Sequence, residues 1–222
     1  MKVAKTDFRF SRTVSLNYLL HIPKEAEAGS NEKWPTILFL HGIGESGDDP
    51  SAVLRTGLPR YLSQRRDFPF IVIAPQCPWN TWWPELADPL EELLHYCEVT
   101  YPIDSQRLYL TGLSMGGYGC WYFGALWPKR FAAVAPICGG GMVFHGFPQR
   151  VERLRNTPVW AFHGALDDAI PLVESERLVD ALRKSGGMIK FTVYPHADHD
   201  SWTETYNNPE LYSWFLSHRA GT

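Results

Sequence analysis

Ser114 is the residue whose surroundings most clearly suggest chemistry, because it stands in the middle of Gly112-Leu-Ser-Met-Gly116. An apolar, β-prone run precedes this pattern and a segment of helical character follows it. A glycine–x–serine–x–glycine turn between a strand and a helix is typical of a nucleophilic serine, whose oxygen the strained turn projects above a sheet. Gly112 and Gly116 stand where a side chain would collide with the crossing strand and helix. A glycine-rich loop would fit the five residues alone, but this setting favours a nucleophile.

A serine hydroxyl is a weak nucleophile, so a base that titrates near neutrality should lie beside it, and histidine is expected. His196 and His199 follow the last predicted strand, where the base belongs when the chain order is serine, acid, histidine. We predict His199 as the base, because it stands directly before the closing helical region, with His196 as the alternative. Either residue could instead be a solvated loop histidine. No metal site is expected here, since no second ligand group has suitable spacing.

The carboxylate that orients the base should follow the preceding strand, and Asp167 and Asp168 stand there, in the turn after residues 159–162. We predict Asp167 as this acid and expect Asp168 to face solvent or to cap a helix. A turn aspartate is the alternative interpretation of Asp167, because aspartate favours turns in any case. His163, in the same turn, is predicted to brace it rather than to catalyse.

Two backbone N–H groups are expected to stabilise the oxyanion that forms when a serine attacks a carbonyl group. One is the N–H of Met115, directly after the predicted nucleophile. The other should come from the glycine-rich segment His41–Gly47, which follows an apolar run, and the Ile43 N–H is the predicted donor. A glycine-rich connector would explain these glycines equally well, but not their coincidence with the Ser114 turn.

The segments that must position these residues alternate between strands and helices. Strands are predicted over Val14–Ile22, Thr36–Leu40, Phe70–Ala74, Leu108–Leu110, Phe131–Ala135, Val159–Phe162 and Phe191–Tyr194, with a loop over Lys24–Lys33. Helices are predicted over Ser51–Ser63, Pro89–Thr100, Gly116–Trp127 and Leu172–Lys184, with a last helix that Asn208 caps. This alternation predicts a doubly wound, mostly parallel sheet with helices on both faces. Ligands bind at the carboxyl ends of the strands in such sheets, and every candidate residue falls at such an end.

The composition limits the classes of function. The chain has 222 residues, is 45% hydrophobic and carries a formal charge of −3. These values fit one domain and argue against nucleic acid or an anionic membrane as the main partner. No apolar stretch approaches the roughly 18 residues that span a bilayer. The N-terminus lacks the apolar centre of a secretory signal, so we expect a cytoplasmic protein if the chain is complete and a secreted one if residues 1–222 are an excised catalytic domain.

Four cysteines, Cys77, Cys97, Cys120 and Cys138, lie within apolar runs or predicted helices without any C-x-x-C pairing. Buried free thiols are therefore predicted, and zinc or redox chemistry is not. The pattern leaves one disulfide open.

Four segments together resemble the α/β-hydrolases: His41–Glu45, Gly112–Gly117, His163–Pro171 and His199–Trp202. The closest resemblance is to the phospholipase/carboxylesterase and dienelactone-hydrolase-like esterases, including those once labelled predicted peptidases. It runs from about residue 36 to the C-terminus. The roles it implies are a nucleophile, an orienting acid and a base at Ser114, Asp167 and His199, with oxyanion-hole donors at Ile43 and Met115. Dienelactone hydrolases proper use cysteine as the nucleophile, so the serine here argues against that activity.

The interval from Cys138 to Pro158 is only about 20 residues long, too short for the helical cap of lipases and many larger esterases. No large cap is therefore expected, and an open cleft favours small or well-exposed esters. Trp79, Trp82 and Trp83 cluster after another strand and are predicted to line the substrate pocket, although core packing is an almost equally good interpretation. Candidates for the opposite wall are Phe144, His145 and Phe147.

We therefore hypothesise a cofactor-independent serine carboxylesterase that hydrolyses short-chain or exposed carboxylic esters through an acyl-enzyme. Its partner would be a small-molecule ester, without nucleic acid or membrane insertion. Other enzyme hypotheses stay open: a feruloyl or acetyl esterase acting on plant polysaccharide, and an acyl-protein thioesterase or lysophospholipase. The non-enzymatic alternative is a binding module on the same fold, which the presence of all three triad residues disfavours.

Overall fold

The computed structural model describes residues 15–27, 32–63, 65 and 67–221, and a seven-stranded sheet forms its centre. The strands are β1 (Tyr18–His21), β2 (Trp34–Leu40), β3 (Ile71–Pro75), β4 (Ile103–Leu113), β5 (Ala133–Ile137), β6 (Val159–Gly164) and β7 (Ile189–Tyr194). They lie in the order β1-β3-β2-β4-β5-β6-β7; β1 runs antiparallel to β3, and the other pairs are parallel. The predicted mostly parallel sheet is confirmed. The start predicted for the first strand, Val14, lies outside the described residues.

Helices connect the strands and close the chain. They are α1 (Lys24–Glu27), α2 (Gly57–Ser63), α3 (Ala87–Thr100), α4 (Met115–Leu126), α5 (Val173–Lys184), α6 (Trp202–Asn207) and α7 (Pro209–Leu216). The last helix begins as predicted, because the Asn208 side chain accepts a hydrogen bond from the Glu210 N–H and Pro209 is the first helical residue.

Two predictions of local structure are wrong. The predicted loop over Lys24–Lys33 contains α1, and residues 28–31 of that loop lie outside the described residues. The predicted helix over Ser51–Ser63 is divided into a 3-10 turn at Pro50–Arg55 and the helix α2. The division occurs where Thr56 is extended and Gly57 takes a left-handed φ of 58°. Such a φ stops a right-handed helix from continuing, which a helix-prone composition does not reveal.

The sheet separates two hydrophobic cores, because neighbouring residues of a strand point to opposite faces. On β2, Leu38 and Leu40 belong to one core, which α3, α4 and α5 cover. Ile37 and Phe39 belong to the other core, which α2, α6 and α7 cover. All four side chains are fully buried. Helices therefore lie on both faces, as predicted, and the carboxyl ends of the strands form the edge where a site can be built.

The connection from β5 to β6 is short and carries no helical cap. Between Cys138 and Pro158, where every residue is described, the chain forms two short 3-10 turns, Val143–His145 and Gln149–Leu154. The fold is that expected from the sequence, without a large cap. Across the described part of the chain, no helix combines the length and hydropathy needed to cross a bilayer.

All four cysteines are buried and unpaired, as predicted. Burial raises the pKa of the Cys77 and Cys97 thiols to about 12. These two thiols are therefore protonated at neutral pH and are poor nucleophiles.

Candidate active site

Ser114 occupies the sharp turn between β4, which ends at Leu113, and α4, which begins at Met115. Its φ of 55° and ψ of −118° lie in a region that a non-glycine residue rarely adopts. Two backbone hydrogen bonds hold this conformation: the Ser114 N–H donates to the Ile137 carbonyl oxygen of β5 (3.0 Å), and the Ser114 carbonyl oxygen accepts from the Tyr118 N–H (3.1 Å). The turn therefore presents the serine at the carboxyl edge of the sheet.

The glycines on either side of Ser114 let the backbone of β2 pass directly against the turn. A Cβ added to Gly112 would lie 2.5 Å from the Leu40 carbonyl oxygen, and one added to Gly116 would lie only 2.0 Å from the same atom. Real Cβ atoms do not approach other atoms so closely, so any side chain would displace β2 or open the turn. The collision predicted from the sequence is confirmed for both glycines.

Gly116→Ala should therefore destabilise the fold by about 3 kcal/mol or more, because the added methyl group meets rigid backbone rather than a movable side chain. Chemical denaturation measures the loss. Gly44→Ala is the matched control, since nothing lies within 4 Å of its added Cβ, and it should change the free energy of unfolding by less than about 1 kcal/mol. Equal stability of the two variants would contradict the close packing at Gly116.

Three side chains from separate loops form one hydrogen-bonded line. His199 Nε2 lies 3.0 Å from Ser114 Oγ, and His199 Nδ1 lies 2.8 Å from Asp167 Oδ2. Because a carboxylate only accepts, Nδ1 carries the ring proton and Nε2 is left to accept from the serine hydroxyl. The structure thus brings the predicted serine, base and acid together, in the arrangement of a nucleophile, its base and the group that orients the base.

Backbone contacts between two loops bring His199 to the end of β6. The Leu166 N–H donates to the Ala197 carbonyl oxygen (3.0 Å). A Cβ added to Gly164 would lie 2.1 Å from the Asp198 carbonyl oxygen. The loop after β7 therefore crosses directly over the end of β6, which carries the acid-bearing turn.

The alternative candidates for base and acid lie at the surface. His196 and Asp168 are both exposed, and the exposure of Asp168 agrees with the expectation that it faces solvent. The geometry therefore favours His199 over His196 and Asp167 over Asp168.

Asp167 is held in place by its own turn. Its Oδ1 accepts from the N–H groups of Ala169 (3.0 Å) and Ile170 (2.8 Å). Its Oδ2, which accepts from His199, also lies 3.2 Å from His163 Nε2. His163 is fully buried, and its Nε2 donates to the Ile170 carbonyl oxygen (2.9 Å), so this residue braces the turn. These contacts fix the carboxylate toward the imidazole.

The two predicted oxyanion donors flank the serine. Ile43 is the first residue of the 3-10 turn Ile43–Glu45, and Met115 is the first residue of α4. The N–H of a first helical residue has no acceptor within its own helix and is available to a ligand. The loop that carries Ile43 lies against the serine, because a Cβ added to Gly42 would be only 3.5 Å from Ser114 Cβ.

His41 fixes the conformation of this loop. Its Nε2 accepts from the Cys77 N–H (2.9 Å), so Nδ1 carries the proton and donates to the Gly42 carbonyl oxygen (2.5 Å). The Trp83 indole N–H donates to the His41 carbonyl oxygen (3.0 Å). Because the C=O and N–H of one trans peptide point in opposite directions, holding the Gly42 carbonyl oxygen also directs the Ile43 N–H.

Burial lowers the pKa of His41 from the ordinary 6.5 to about 4, although its hydrogen bond to Gly42 acts in the opposite direction. Between about pH 6.5 and pH 4 the unfolded chain therefore binds a proton that the folded protein excludes. The stability that depends on neutral His41 is complete above about pH 6.5 and should fall, by on the order of 3 kcal/mol, as the pH approaches 4.

Urea denaturation at about pH 7 and about pH 4.5 measures this loss. His41→Gln keeps an acceptor for the Cys77 N–H but does not titrate, so its free energy of unfolding should fall less between the two pH values. An equal fall in the wild type and His41→Gln would contradict the assignment to His41.

The tryptophans of the predicted substrate wall have different surroundings. Trp79 is 64% exposed, and its indole covers Gly47 at the end of the loop that carries Ile43. Trp83, in contrast, is fully buried against His41 and Gly119. The prediction that Trp83 lines the pocket is wrong, because its ring fills the core and its N–H is bonded to the backbone.

Trp82 belongs to an aromatic cluster with Tyr122, Phe144 and His145. The Trp82 ring stacks on His145 (5.2 Å between centroids, 13° between planes) and lies 6.1 Å from Phe144. Tyr122, on α4, lies 4.9 Å from the His145 ring. Phe144 is 73% exposed, so the cluster presents an aromatic surface to solvent, whereas Phe147 is buried.

Cys138 is a residue that the sequence analysis did not connect with the site. It directly follows β5, has a φ of 39° and is fully buried. Its Sγ, a carboxylate oxygen of Asp167 and a ring nitrogen of His199 all lie within 4.8 Å of one another. The strand order explains why Cys138 lies so close to these residues. β5, which Cys138 follows, lies between β4 and β6, the strands that lead to Ser114 and Asp167.

Comparison with known proteins adds a family match. A family model described as phospholipase/carboxylesterase matches residues 84–208, a range that includes Ser114, Asp167 and His199. The crystal structure of a thermostable esterase is similar with a TM-score of 0.78 and 34% sequence identity, over 93% of this chain and 60% of that chain. The structural likeness thus extends over nearly the whole chain.

Curated relatives are more distant. A poly(3-hydroxyoctanoate) depolymerase of Pseudomonas fluorescens is 24% identical over 211 residues, which cover 83% of this chain and 74% of that protein. A bifunctional acetylxylan esterase/xylanase of Neocallimastix patriciarum is 25% identical over 187 residues, which cover 81% of this chain and 26% of that protein. The chain spans less than half the length of the first three curated relatives that it matches.

Proposed function

Because the chain belongs to the phospholipase/carboxylesterase family, we propose that it is a serine carboxylesterase that hydrolyses short-chain or exposed carboxylic esters through an acyl-enzyme. Ser114 is the proposed nucleophile, His199 the general base and Asp167 the residue that orients the base. The observation that carries this proposal is the unbroken line from Ser114 Oγ to His199 (3.0 Å) and from His199 to Asp167 (2.8 Å), built on a strained turn.

In the acylation step, Ser114 Oγ forms a bond to the ester carbonyl carbon while its proton passes to His199 Nε2. The Asp167 carboxylate, 2.8 Å from Nδ1, stabilises the imidazolium that results. The carbonyl oxygen becomes an oxyanion, which the Ile43 and Met115 N–H groups bind. The oxyanion then re-forms the carbonyl group, the ester carbon–oxygen bond breaks, His199 gives its proton to the departing alcohol oxygen, and the acyl group stays on the serine.

In the deacylation step, water replaces the alcohol. His199 takes a proton from the water as the water oxygen attacks the acyl carbon, and the same two N–H groups bind the second oxyanion. The bond to Ser114 then breaks, the serine oxygen recovers a proton from His199, and the carboxylic acid leaves. Each cycle consumes one water molecule and releases one alcohol and one acid.

A fluorophosphonate probe tests the proposed nucleophile directly, because it reacts covalently with an activated serine. One label per chain is expected, and peptide mass spectrometry should locate it on Ser114. Folded protein that takes up no label would favour the non-enzymatic binding module instead. A label on another serine would overturn the assignment of Ser114.

The short connection from β5 to β6 supports the proposed preference for small or exposed esters. Two 3-10 turns occupy this connection where a cap would be inserted, so no lid from this connection encloses a long acyl chain and removes it from water. Nitrophenyl esters graded from acetate to decanoate measure the preference. The kcat/KM should fall as the acyl chain lengthens, and a steady rise toward decanoate would contradict the proposal.

The proposed catalytic unit is residues 1–222 as one domain. In the described part of the chain, a single sheet lies between the two hydrophobic cores. The residues of the proposed triad follow β4 in the middle of this sheet, β6 next to its edge and β7 at its edge. The four neighbouring strands from β4 to β7 bring the three side chains together.

A second candidate function is hydrolysis of aromatic or acetyl esters of plant polysaccharide. The observation that favours it is the solvent-facing aromatic cluster, in which Trp82, Phe144 and His145 contact one another. Flat aromatic rings of this kind offer stacking partners for a feruloyl group. One relative of this chain is named an acetylxylan esterase/xylanase.

Phe144→Ala should lower kcat/KM for methyl ferulate by about fivefold and that for a nitrophenyl acetate by less than about twofold, since one aromatic contact contributes about 1 kcal/mol. Val143→Ala is the matched control, because Val143 is 74% exposed on the same turn but carries no ring. A wild-type protein that releases neither ferulate from methyl ferulate nor acetate from acetylated xylan would remove this candidate.

A further inference from the structure

A buried thiol lies against the proposed triad and has no role in the proposed reaction. Cys138 Sγ lies within 4.8 Å of a carboxylate oxygen of Asp167 and of a ring nitrogen of His199. The hydroxyl of Ser201 lies beside this thiol. The Ser201 side chain is fully buried, and its hydroxyl is the hydrogen-bonding neighbour of the thiol.

We propose that Cys138, Asp167 and His199 form a binding site for a thiophilic divalent cation, Zn²⁺ or Cd²⁺, and that the bound ion inhibits ester hydrolysis. One thiolate, one carboxylate and one imidazole are a donor set of zinc and cadmium sites, whereas Mg²⁺ and Ca²⁺ prefer oxygen ligands alone. The binding does not depend on the proposed function, but the inhibition rests on it.

The interatomic distances need only a small adjustment. In a tetrahedral zinc site the ligand atoms are about 3.3–3.8 Å apart, because the metal–ligand bonds are about 2.0–2.3 Å long. Asp167 Oδ2 and His199 Nδ1, now 2.8 Å apart, need to separate by about 0.5 Å. The sulfur needs to approach the other two ligands by up to about 1.5 Å to reach that spacing. As the sulfur–metal bond forms, the thiol proton leaves to solvent, and Ser201 Oγ or a water molecule is available as the fourth ligand.

His199 provides the route by which an ion reaches the buried ligands. Its side chain is 26% exposed, whereas the side chain of Asp167 is fully buried. An ion from solvent therefore meets the imidazole first. It then exchanges its water ligands for the carboxylate and the sulfur beneath.

Binding at either ring nitrogen removes His199 from the proposed reaction. A metal on Nδ1 displaces the single ring proton from Nδ1 to Nε2, and the protonated Nε2 then cannot accept a proton from Ser114. A metal on Nε2 occupies the lone pair that faces Ser114 Oγ. Both arrangements predict inhibition that removal of the ion reverses.

The direct test is a titration of the protein with cadmium chloride, because a cadmium–thiolate bond has an ultraviolet charge-transfer band. A saturable band with one ion per chain is expected in the wild type and should be lost in both Cys138→Ala and Cys138→Ser. Cys120→Ala is the matched control, since Cys120 is equally buried, on α4, but belongs to no such cluster in the described residues. The cadmium–thiolate band should persist in Cys120→Ala. Absence of the band from the wild type, or its persistence in both Cys138 variants, would overturn the site even if no ester is hydrolysed.

Ester hydrolysis in the presence of each ion measures the consequence. Zn²⁺ and Cd²⁺ should inhibit the wild type and EDTA should restore the rate, whereas Mg²⁺ and Ca²⁺ at the same concentration should not inhibit. The Zn²⁺ concentration that halves the rate should rise by about tenfold or more in Cys138→Ser, each variant being compared with its own metal-free rate. Equal sensitivity of the wild type and Cys138→Ser would overturn the role of the thiol. A full cadmium band without loss of activity would overturn the inhibition.

Discussion

Ser114→Ala should lower kcat/KM for a short-chain nitrophenyl ester by about 10⁴–10⁶-fold, to the rate that substrate binding and the oxyanion donors provide alone. Alanine cannot form an acyl-enzyme, and His199 is left without a hydroxyl proton to accept. The loss should appear in kcat more than in KM, because the hydroxyl takes part in bond formation and contributes little to binding the ester. Initial rates with nitrophenyl acetate and butyrate measure it.

Ser213→Ala is the matched control for this change. Ser213 is exposed on α7, where its hydroxyl donates to the Pro209 carbonyl oxygen (3.3 Å), so its replacement should alter kcat/KM by less than about twofold. Substantial turnover by folded Ser114→Ala would refute Ser114 as the nucleophile. Circular dichroism of both variants establishes that the fold is kept.

Asp167→Asn should lower kcat by about 10⁴-fold while leaving the turn intact. The amide oxygen can still accept from the Ala169 and Ile170 N–H groups, as Oδ1 does now. The amide nitrogen, however, would face His199 Nδ1 and would favour the tautomer that carries its proton on Nε2. That tautomer cannot take the proton of the proposed nucleophile.

Asp168→Asn separates this effect from a general loss of charge in the turn. Asp168 is the exposed neighbour of the buried carboxylate, and its neutralisation should change kcat by less than about threefold. Steady-state rates of the two variants at equal fold content provide the comparison. If Asp167→Asn retained most of the wild-type rate, Asp167 would be a turn residue and not the partner of His199.

The fold and the candidate triad could be predicted because their signals are local in the sequence. Ser114, Asp167 and His199 each stand in the turn or loop that follows a strand recognisable by its apolar residues. Parallel strands bring their carboxyl ends to one edge of a sheet, so the meeting of three distant residues follows from the alternation of strands and helices. The choice of His199 over His196 depended on its position before the closing helices, and the geometry agrees with that choice.

The burial of Trp83 and the position of Cys138 beside the acid and the base could be recognised only from the tertiary structure. Trp83 stands next to Trp82 in the same loop, yet its burial depends on His41 and Gly119, which belong to other elements. Cys138 lies beside the acid and the base only because β5 pairs between β4 and β6. No periodicity or motif encodes such contacts, since they arise from packing between elements that are far apart in the chain.

β7 is the outermost strand on its side of the sheet and pairs with β6. Its side chains are mostly half-exposed or exposed, whereas those of β3 and β5 are completely buried. An outer strand with few buried contacts detaches at a lower free energy than a central one. We therefore expect mild warming to free the loop that carries His199 while the central strands stay paired, so that the proposed ester hydrolysis would cease below the melting temperature of the protein. The time for which the proposed activity survives storage would then depend on how stably β7 pairs with β6.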